Sequence, residues 1–502
     1  MSVSVSGQPL ALALCLAIVA GTIAGALLYG HAQARQRSMS EWAIGGRRFG
    51  SWIFWFANAG EIYTTFAVLG IAGYAWAYGA PAYLAFTSVS LACALGYWLM
   101  PRIWEAGRRD GLVTQADFFA QHYRATWLGV VVGLAGIAAL VVYVQIQLTA
   151  LALVFRLTFG AQFTPLESAL TAAAAMLAFV YLAGLRSAAF AAGVKDVMMI
   201  VLVLALSVTA AAKVGASSML DVFRLVQQQH PGIGSFPGLV PAAGLTNTWL
   251  VTAAVNVALG TWIFPHMFQL IYAARDVQAI RRNTMWQPLY SLSYFFILLL
   301  GFAALLAGTA PPDGNPNAVL LQFVADRYPP WAAGLLAGTA CLLALVPGSI
   351  LLLTAASIFG RNVVLPLRRQ LSDRGVLWTS RAAMVAFAGI AVWLTVTSSR
   401  SLVEIGLSAY AAIGMLAPGV FLAFLWRRTT AIGVFVGIVA GYAALLLPAA
   451  ESFWQAHAPA WDRGLLAMGV NLACAVLTSL LTASTAATAP PTSRANPPAS
   501  RD

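Results

Sequence analysis

Charged side chains are scarce in this sequence. Asp, Glu, Lys and Arg together make up 9% of the 502 residues, whereas hydrophobic residues make up 60%. So few ionisable side chains cannot cover the water-exposed surface of a chain of this length. The composition therefore excludes an ordinary water-soluble fold and predicts an all-α integral membrane protein.

Cysteine pairs and catalytic motifs are also lacking. The four cysteines, Cys15, Cys93, Cys341 and Cys474, lie in apolar runs without C-x-x-C spacing, which argues against a disulfide framework or a zinc site. The sequence contains no phosphate-binding loop, nucleophile elbow or H-E-x-x-H motif, and its five histidines are scattered. We therefore predict that the protein is not an enzyme and that it holds no organic cofactor.

Long apolar runs recur from residue 9 to residue 484, and each is close to the ~20 residues that a helix needs to cross the hydrocarbon core. We predict thirteen spans, at residues 9–30, 51–77, 81–100, 126–155, 165–184, 190–212, 246–270, 287–309, 330–357, 379–398, 402–425, 430–450 and 463–484. The first run lacks the positive n-region of a signal peptide, so we interpret it as a retained span. One transmembrane domain then covers residues 1–484, and residues 485–502 form a disordered tail.

The basic residues follow the positive-inside rule if the N-terminus lies outside. The inner loops and the tail then hold twenty-one of the 28 Lys and Arg residues, and the outer segments hold six. We interpret the net charge of +12 as a topology signal rather than a nucleic-acid surface. The expected location is the bacterial inner membrane, with the C-terminus in the cytoplasm. An inner helix along the membrane surface is predicted over Thr114–His122, where Thr114 and Asp117 form a helix-start pattern.

Span two breaks the rules for a lipid-facing helix. Glu61 lies about 15 Å from the inner end, near the midplane, where a carboxylate is costly unless it is paired, solvated or protonated. Gly60, Gly70 and Gly73 favour local unwinding, which would make Glu61 part of a site for a coupling ion, a proton or the solute. The alternative is a protonated Glu61 that only hydrogen-bonds a neighbouring helix.

Span seven has a matching irregularity. Pro265 removes a backbone donor and predicts a kink or break, close to Asn256, Trp262, His266 and Gln269. Spans two and seven enter the membrane from opposite faces, and a pair of interrupted helices in such positions is typical of an inverted-repeat transporter with its site between them. Ordinary kinks in unrelated helices are the alternative.

Other polar residues within spans are weaker candidates. Lys195 and Asp196 are neighbours in span six, so we expect only one to face the bundle centre, and Lys195 either snorkels to the cytoplasm or supplies a positive charge in the core. Tyr143, Gln145 and Gln147 in span four, and Ser408 and Tyr410 in span eleven, either line a cavity or make interhelical hydrogen bonds.

Several stretches resemble the sodium:solute symporter family, most closely its bacterial monocarboxylate-permease-like branch. In family order, over roughly residues 40–430, they read Glu41-Trp42-Ala43-Ile44-Gly45-Gly46-Arg47, Gly60-Glu61-Ile62-Tyr63-Thr64, Leu69-Gly70-Ile71-Ala72-Gly73, Thr114-Gln115-Ala116-Asp117-Phe118, Gln145-Ile146-Gln147-Leu148-Thr149, Gly184-Leu185-Arg186, Pro265-His266, Ala273-Ala274-Arg275-Asp276 and Arg361-Asn362. The resemblance implies a leucine-transporter-like core of five plus five inverted helices, spans two to eleven, over about residues 51–425. It also implies symport by alternating access.

The resemblance further implies a sodium ion, held by backbone carbonyls of the unwound span two, hydroxyls of span nine and an aspartate of span six. The corresponding region lies near Ile62, Thr65, Val346 and Ser349. Val346 and Pro347 stand at the implied hydroxyl positions and Ala192 at the implied aspartate, and none of the three supplies a side-chain oxygen.

The coupling ion therefore stays open between Na⁺ and H⁺, with uniport as a further alternative. Glu61, Lys195 and Asp196 are the candidate coupling residues. The candidate solute- and ion-binding residues are Glu61, Ile62, Tyr63, Thr64, Thr65, Tyr143, Gln147, Asn256, Trp262, His266, Gln269, Ser349 and Tyr410.

The branch that the sequence resembles implies a small monocarboxylate, such as lactate or pyruvate, as the solute. Half-helix termini in spans two and seven, with Lys195 or His266 nearby, would suit a carboxylate. An amino acid or a urea-like compound is an alternative solute, and a transporter-like membrane sensor is an alternative function. The oligomeric state has no sequence signal.

Overall fold

The computed structural model describes residues 8–33, 43–160, 163–368 and 370–486, without the side chains of 30–33, 182–186 and 484–486. Residues 487–502 of the predicted tail lie outside this part, as do Glu41 and Trp42 of the first matching stretch. Inner and outer denote the two sides of the predicted orientation.

The described chain is helical almost throughout. The α-helices are Pro9–Gln33, Ser51–Ile62, Ile71–Tyr78, Leu84–Arg109, Gln115–His122, Thr126–Phe159, Pro165–Lys213, Met219–Gln229, Asn247–Thr261, Pro265–Ala273, Val277–Ser291, Ser293–Leu306, Val319–Arg327, Pro330–Ile358, Leu365–Leu367, Asp373–Thr397, Leu402–Gly414, Ala417–Leu425, Ala431–Leu446, Pro448–His457 and Arg463–Ala486. Phe66–Gly70 and Phe359–Val364 are π-helical, and Gly45–Arg47, Ala80–Tyr83, Pro241–Ala243, Pro312–Gly314 and Pro316–Ala318 are 3₁₀ turns.

The helices agree with the predicted all-α membrane fold. Eight helical segments are long and apolar enough to cross a membrane alone, and three bent pairs raise the number to 11. The two shorter apolar helices, Phe66–Tyr78 and Pro165–Tyr181, fall in predicted spans two and five. Every predicted span thus contains an apolar helix. Span nine forms the centre of the bundle, because 94% of the residues in its apolar stretch are buried in the protein, compared with 22% for span one.

Spans five and six form one helical run, Pro165–Lys213, where we predicted a break. At 1.5 Å per residue the 49 residues of this run would extend about 73 Å, more than twice the thickness of the hydrocarbon core, so the run is long enough for both predicted spans. The predicted break covers residues 185–189, and the side chains of 185 and 186 are not described.

Span eight begins earlier than predicted. Its helix starts at Val277 rather than residue 287, after Asp276 caps it by accepting a hydrogen bond from the backbone N–H of Ala279. The polar residues in this added stretch suggested a loop, but two of them, Asn283 and Thr284, are buried. Asn283 donates to Asn58 of span two at 2.9 Å and to Gln287 at 3.1 Å. Polar groups in a membrane helix are therefore satisfied by a neighbouring helix rather than by water.

The predicted inner helix Gln115–His122 forms, and Thr114 and Asp117 make the predicted capping box. Its expected position along the membrane surface stays a prediction. Ala116, Phe118 and Phe119 are each at most 1% exposed, because the helix packs its apolar face against spans four, seven and eleven.

Asp117 joins this helix to the inner end of span nine. Its carboxylate accepts hydrogen bonds from the backbone N–H groups of Val113 and Thr114, from Arg361 Nε at 2.9 Å and from Asn362 Nδ2 at 2.7 Å. The Thr114 hydroxyl also donates to Asn362 Oδ1 at 2.8 Å. One carboxylate thus accepts hydrogen bonds from backbone N–H groups at the start of this helix and from two side chains about 240 positions away in the chain.

We expect Asp117→Ala to lower the free energy of unfolding by about 2 kcal/mol, because the substitution removes several charge-assisted hydrogen bonds and strands Arg361. Thermal unfolding of the purified protein in detergent measures the effect. The matched control is Asp110→Ala, whose ion-pair partner Arg109 is 72% exposed, and this change should stay within about 0.5 kcal/mol. Equal effects of the two substitutions would contradict the role given to Asp117.

The outer half of span two packs closely on span eight. A Cβ added to Gly301 would overlap the backbone oxygen of Ala72 and lie 2.9 Å from the Cβ of Ala75. Gly389 in span ten has nothing within 4 Å of the same position. Small residues at such crossings let helix backbones approach in a membrane.

Gly301→Ala should therefore destabilise the protein by about 1–3 kcal/mol, because the two helices must separate to admit the methyl group. Gly389→Ala should be neutral or slightly stabilising, since alanine favours the helix and meets no neighbour. The measurement is the melting temperature of each variant and of the wild type in the same detergent. A Gly301→Ala protein as stable as wild type would refute the close approach of spans two and eight.

Candidate functional site

Span two is broken at its centre. The helix Ser51–Ile62 ends at Tyr63, whose φ of −98° and ψ of 83° are not helical, and helical structure resumes at Phe66. The predicted unwinding is thus present, three residues after Gly60. Gly70 and Gly73 remain helical, and Gly73 instead gives room to the backbone of Pro316. The break leaves the last carbonyls of the inner half-helix without an intrahelical partner.

Lys195 supplies that partner. Its ammonium group donates to the carbonyl oxygens of Gly60 at 2.8 Å and Tyr63 at 3.2 Å, and to Asp196 Oδ1 at 2.6 Å. The Lys195 and Asp196 side chains are both 0% exposed. Snorkelling to the cytoplasm is therefore wrong for Lys195. The expectation that only one of the pair faces the bundle centre is also wrong, because the flexible lysine side chain turns back to reach its neighbour.

Span seven is broken at the position that Pro265 predicts. Its two helices, Asn247–Thr261 and Pro265–Ala273, meet at an angle of 49°. Gln115 from the inner helix donates its side-chain amide to the carbonyl oxygen of Ile263 inside the break. Trp262 donates its indole N–H to the carbonyl oxygen of Ala92 at 2.6 Å and so anchors the break on span three. Sequence reasoning missed Gln115, whose only signal was its place in a matching stretch.

The two breaks bring Glu61 and His266 together. Glu61 Oε2 lies 3.7 Å from His266 Nε2, and both side chains are 1% exposed. Among the described residues, neither carboxylate oxygen of Glu61 and neither ring nitrogen of His266 has a hydrogen-bond partner. Buried polar atoms are normally paired, so four unpaired atoms at one place make it a candidate site for a polar ligand.

Amide and hydroxyl pairs flank these two residues. The Thr65 hydroxyl donates to Gln147 Oε1 at 3.2 Å, and the Thr354 hydroxyl donates to Gln269 Oε1 at 2.7 Å. The amide nitrogens of Gln147 and Gln269 are buried without a partner in the described part of the chain. Both glutamines were predicted, and each retains two N–H groups that can donate to a ligand.

Aromatic rings enclose the site. The Tyr143 ring lies 5.9 Å from His266 and 6.5 Å from Tyr410, so the structure brings these predicted residues together. Tyr63 packs on Tyr290 at 4.0 Å and on Tyr294 at 5.1 Å, measured between ring centroids. The two span-eight tyrosines were missed, since nothing distinguishes them from other interior aromatics in the sequence.

Three predicted residues contribute little to this arrangement. Ser349 donates its hydroxyl back to the carbonyl oxygen of Leu345 in its own helix at 2.6 Å. The Asn256 side chain faces Gly414 and Gly464 of spans eleven and thirteen rather than the breaks. The Thr64 hydroxyl accepts a hydrogen bond from the backbone N–H of Phe66, the first residue of the helix after the break, at 3.2 Å.

The site is closed in this conformation. A cavity of about 20 Å³ lies above it, lined by Ile62, Phe66, Tyr294 and Tyr410 among others, and it is large enough for about one water molecule. Helix movement is therefore needed to admit a solute, as alternating access requires.

Known proteins resemble this chain over most of its length. The model of the sodium:solute symporter family matches residues 42–441. The uncharacterized symporter YhjB of Bacillus subtilis (strain 168) is 31% identical over 414 residues, 82% of this chain and 84% of that protein. A monocarboxylate transport permease protein of Rhizobium johnstonii is 28% identical over 64% of each chain, and a sodium/proline symporter of Escherichia coli (strain K12) is 22% identical over 84% of each.

Among solved structures, a Na⁺-coupled sialic acid symporter in a substrate-bound outward-open state superimposes with a TM-score of 0.74 at 15% identity, covering 93% of this chain and 98% of that chain. This likeness confirms the leucine-transporter-like fold. Family and structural relatives are transporters, which confirms that the protein is not an enzyme. The chain is a multi-pass membrane transporter that belongs to the sodium:solute symporter family.

Proposed function

We propose that this symporter carries a small monocarboxylate across the bacterial inner membrane by alternating access, as a single transmembrane domain with its N-terminus outside. The observation that carries the proposal is the buried Glu61–His266 pair between the broken spans two and seven, with its four unpaired polar atoms. A similar monocarboxylate transport permease protein supports the choice of solute.

The site offers donors suited to a carboxylate. His266 begins the second half-helix of span seven, and a helix N-terminus favours negative charge. The unpaired amide groups of Gln147 and Gln269 add neutral N–H donors. The surrounding tyrosine and phenylalanine rings would pack against the short apolar part of such a solute.

Charge balance then requires a cation to enter with the solute. Glu61 and a solute carboxylate about 5 Å apart would repel each other by about 3 kcal/mol at an effective dielectric constant of about 20. A proton on Glu61 or a bound Na⁺ would remove this penalty. Family membership and the Na⁺-coupled structural neighbour support Na⁺ as the coupling ion, and Glu61 provides the alternative of H⁺.

The main alternative solute is an amino acid, because the relatives include a sodium/proline symporter. An ionised Glu61 could pair with the ammonium group of a zwitterion, whereas it opposes a simple carboxylate. The charge of the solute therefore separates the two hypotheses.

We expect proteoliposomes that contain the purified protein to accumulate radiolabelled lactate or pyruvate when an ion gradient is imposed, with Na⁺ and H⁺ gradients applied separately. A tenfold excess of unlabelled proline should leave this uptake unchanged. Accumulation of proline without uptake of either monocarboxylate would replace the proposed solute by an amino acid. Failure to transport any of the three would refute the monocarboxylate and leave another small solute, such as a urea-like compound, or the membrane sensor.

Glu61→Gln keeps the size of the side chain but removes its charge, so gradient-driven accumulation should fall at least tenfold while exchange of labelled for unlabelled solute persists. The control is Glu167→Gln, an exposed capping residue whose role a glutamine can take over. Full accumulation by the Glu61→Gln protein would remove Glu61 from the coupling step.

A further inference from the structure

The fold family implies a sodium ion at the break of span two, and the residues present here can be tested for that role. Two oxygen atoms at this break are the carbonyls of Gly60 and Tyr63, three residues apart at the end of the inner half-helix. Each already accepts a hydrogen bond from the Lys195 ammonium group. A second cation at these oxygens would lie beside a buried positive charge.

The other implied oxygens are missing. Val346 and Pro347 of span nine and Ala192 of span six are buried and carry no side-chain oxygen. The nearest hydroxyl in span nine, that of Ser349, is directed to the backbone of its own helix. Hard cations prefer a shell of oxygen ligands, and the described residues do not provide that shell here.

The ammonium group, in contrast, fits the position. An ammonium has three protons to donate, and Lys195 has three acceptors at hydrogen-bond distance: the two carbonyl oxygens and Asp196 Oδ1. Asp196 supplies the countercharge that a buried cation needs. The negative end of the Ser51–Ile62 helix adds to the attraction.

We infer that the Lys195 ammonium is a resident cation that occupies the position implied for sodium, and that sodium does not bind at the break of span two. The inference deepens the proposed function. It rests on that function only where it says that a cation moves with the solute. Because this cation is covalently attached to span six, it cannot cross the membrane with the solute. The cation that balances the solute charge must therefore use another position, and Glu61, which follows Gly60 in the chain and faces His266, is the carboxylate at hand.

Lys195→Met tests the inference, because methionine keeps an unbranched side chain but removes the charge. The carbonyls of Gly60 and Tyr63 would then lie next to an unpaired Asp196 carboxylate, an arrangement of oxygens that suits Na⁺. We expect the variant to bind one more ²²Na⁺ per chain than wild type in a scintillation proximity assay on purified full-length protein. We also expect NaCl, but not choline chloride at equal ionic strength, to raise its melting temperature by at least about 2 °C.

Two further variants control this experiment. Lys195→Arg keeps a positive charge and should bind no more ²²Na⁺ than wild type. Asp196→Asn added to Lys195→Met should abolish the gained binding, because the countercharge is lost. If Lys195→Met fails to fold, Lys195→Gln, whose amide still donates to one carbonyl, takes its place with the same expected gain.

An unchanged amount of bound ²²Na⁺ in the neutral variants would overturn the inference, because removal of the lysine would then have opened no site. Loss of wild-type ²²Na⁺ binding on neutralising Lys195 would overturn it as well, since Lys195 would then support a sodium site rather than fill it. These readouts need no solute. A protein that carries neither lactate nor pyruvate but gains the extra Na⁺ would refute the proposed function and leave the lysine inference intact.

Discussion

The structure depends on one constraint: a backbone group inside a membrane must find its hydrogen-bond partner in the protein, since the hydrocarbon core contains no water. A broken helix exposes such groups in the middle of the bilayer. In span two the Lys195 ammonium group donates to the carbonyl oxygens of Gly60 and Tyr63. In span seven the Gln115 amide donates to the carbonyl oxygen of Ile263. Each break is thus held by a side chain from a different part of the chain.

The position of the candidate site follows from those two supports. Once both helices are interrupted at the same depth, the side chains next to the interruptions point into a shared space rather than along a helix surface. Glu61 precedes one break and His266 follows the other, so they meet 3.7 Å apart although they are 205 residues apart in the chain. The surrounding tyrosine rings exclude solvent, which makes the charge state of any ligand decisive for its binding.

Much of this could be predicted from the sequence. The lengths of the apolar runs indicated the spans, and Pro265 indicated the break of span seven. Glu61 was a candidate because a carboxylate in the middle of the membrane is energetically costly. The direction of the Lys195 side chain could not be predicted, because helix rotation depends on packing with other spans. The start of span eight was misplaced because Asn283 looks like a loop residue until Asn58 is known to face it. Gln115 lies 148 residues from its partner Ile263, a separation that no local pattern reveals.

The two halves of span two are held by different kinds of contact, and this difference bears on how the site opens. The outer half meets Gly301 of span eight and the backbone of Pro316 through close backbone packing. The inner half is held by directional polar contacts: Lys195 at its end and Asn283 along its length. The inner half also packs on spans six and eight, and inside the membrane no water can replace its hydrogen bonds. Any movement of the inner half as the transporter alternates must therefore either release the Lys195 contact or carry span six with it.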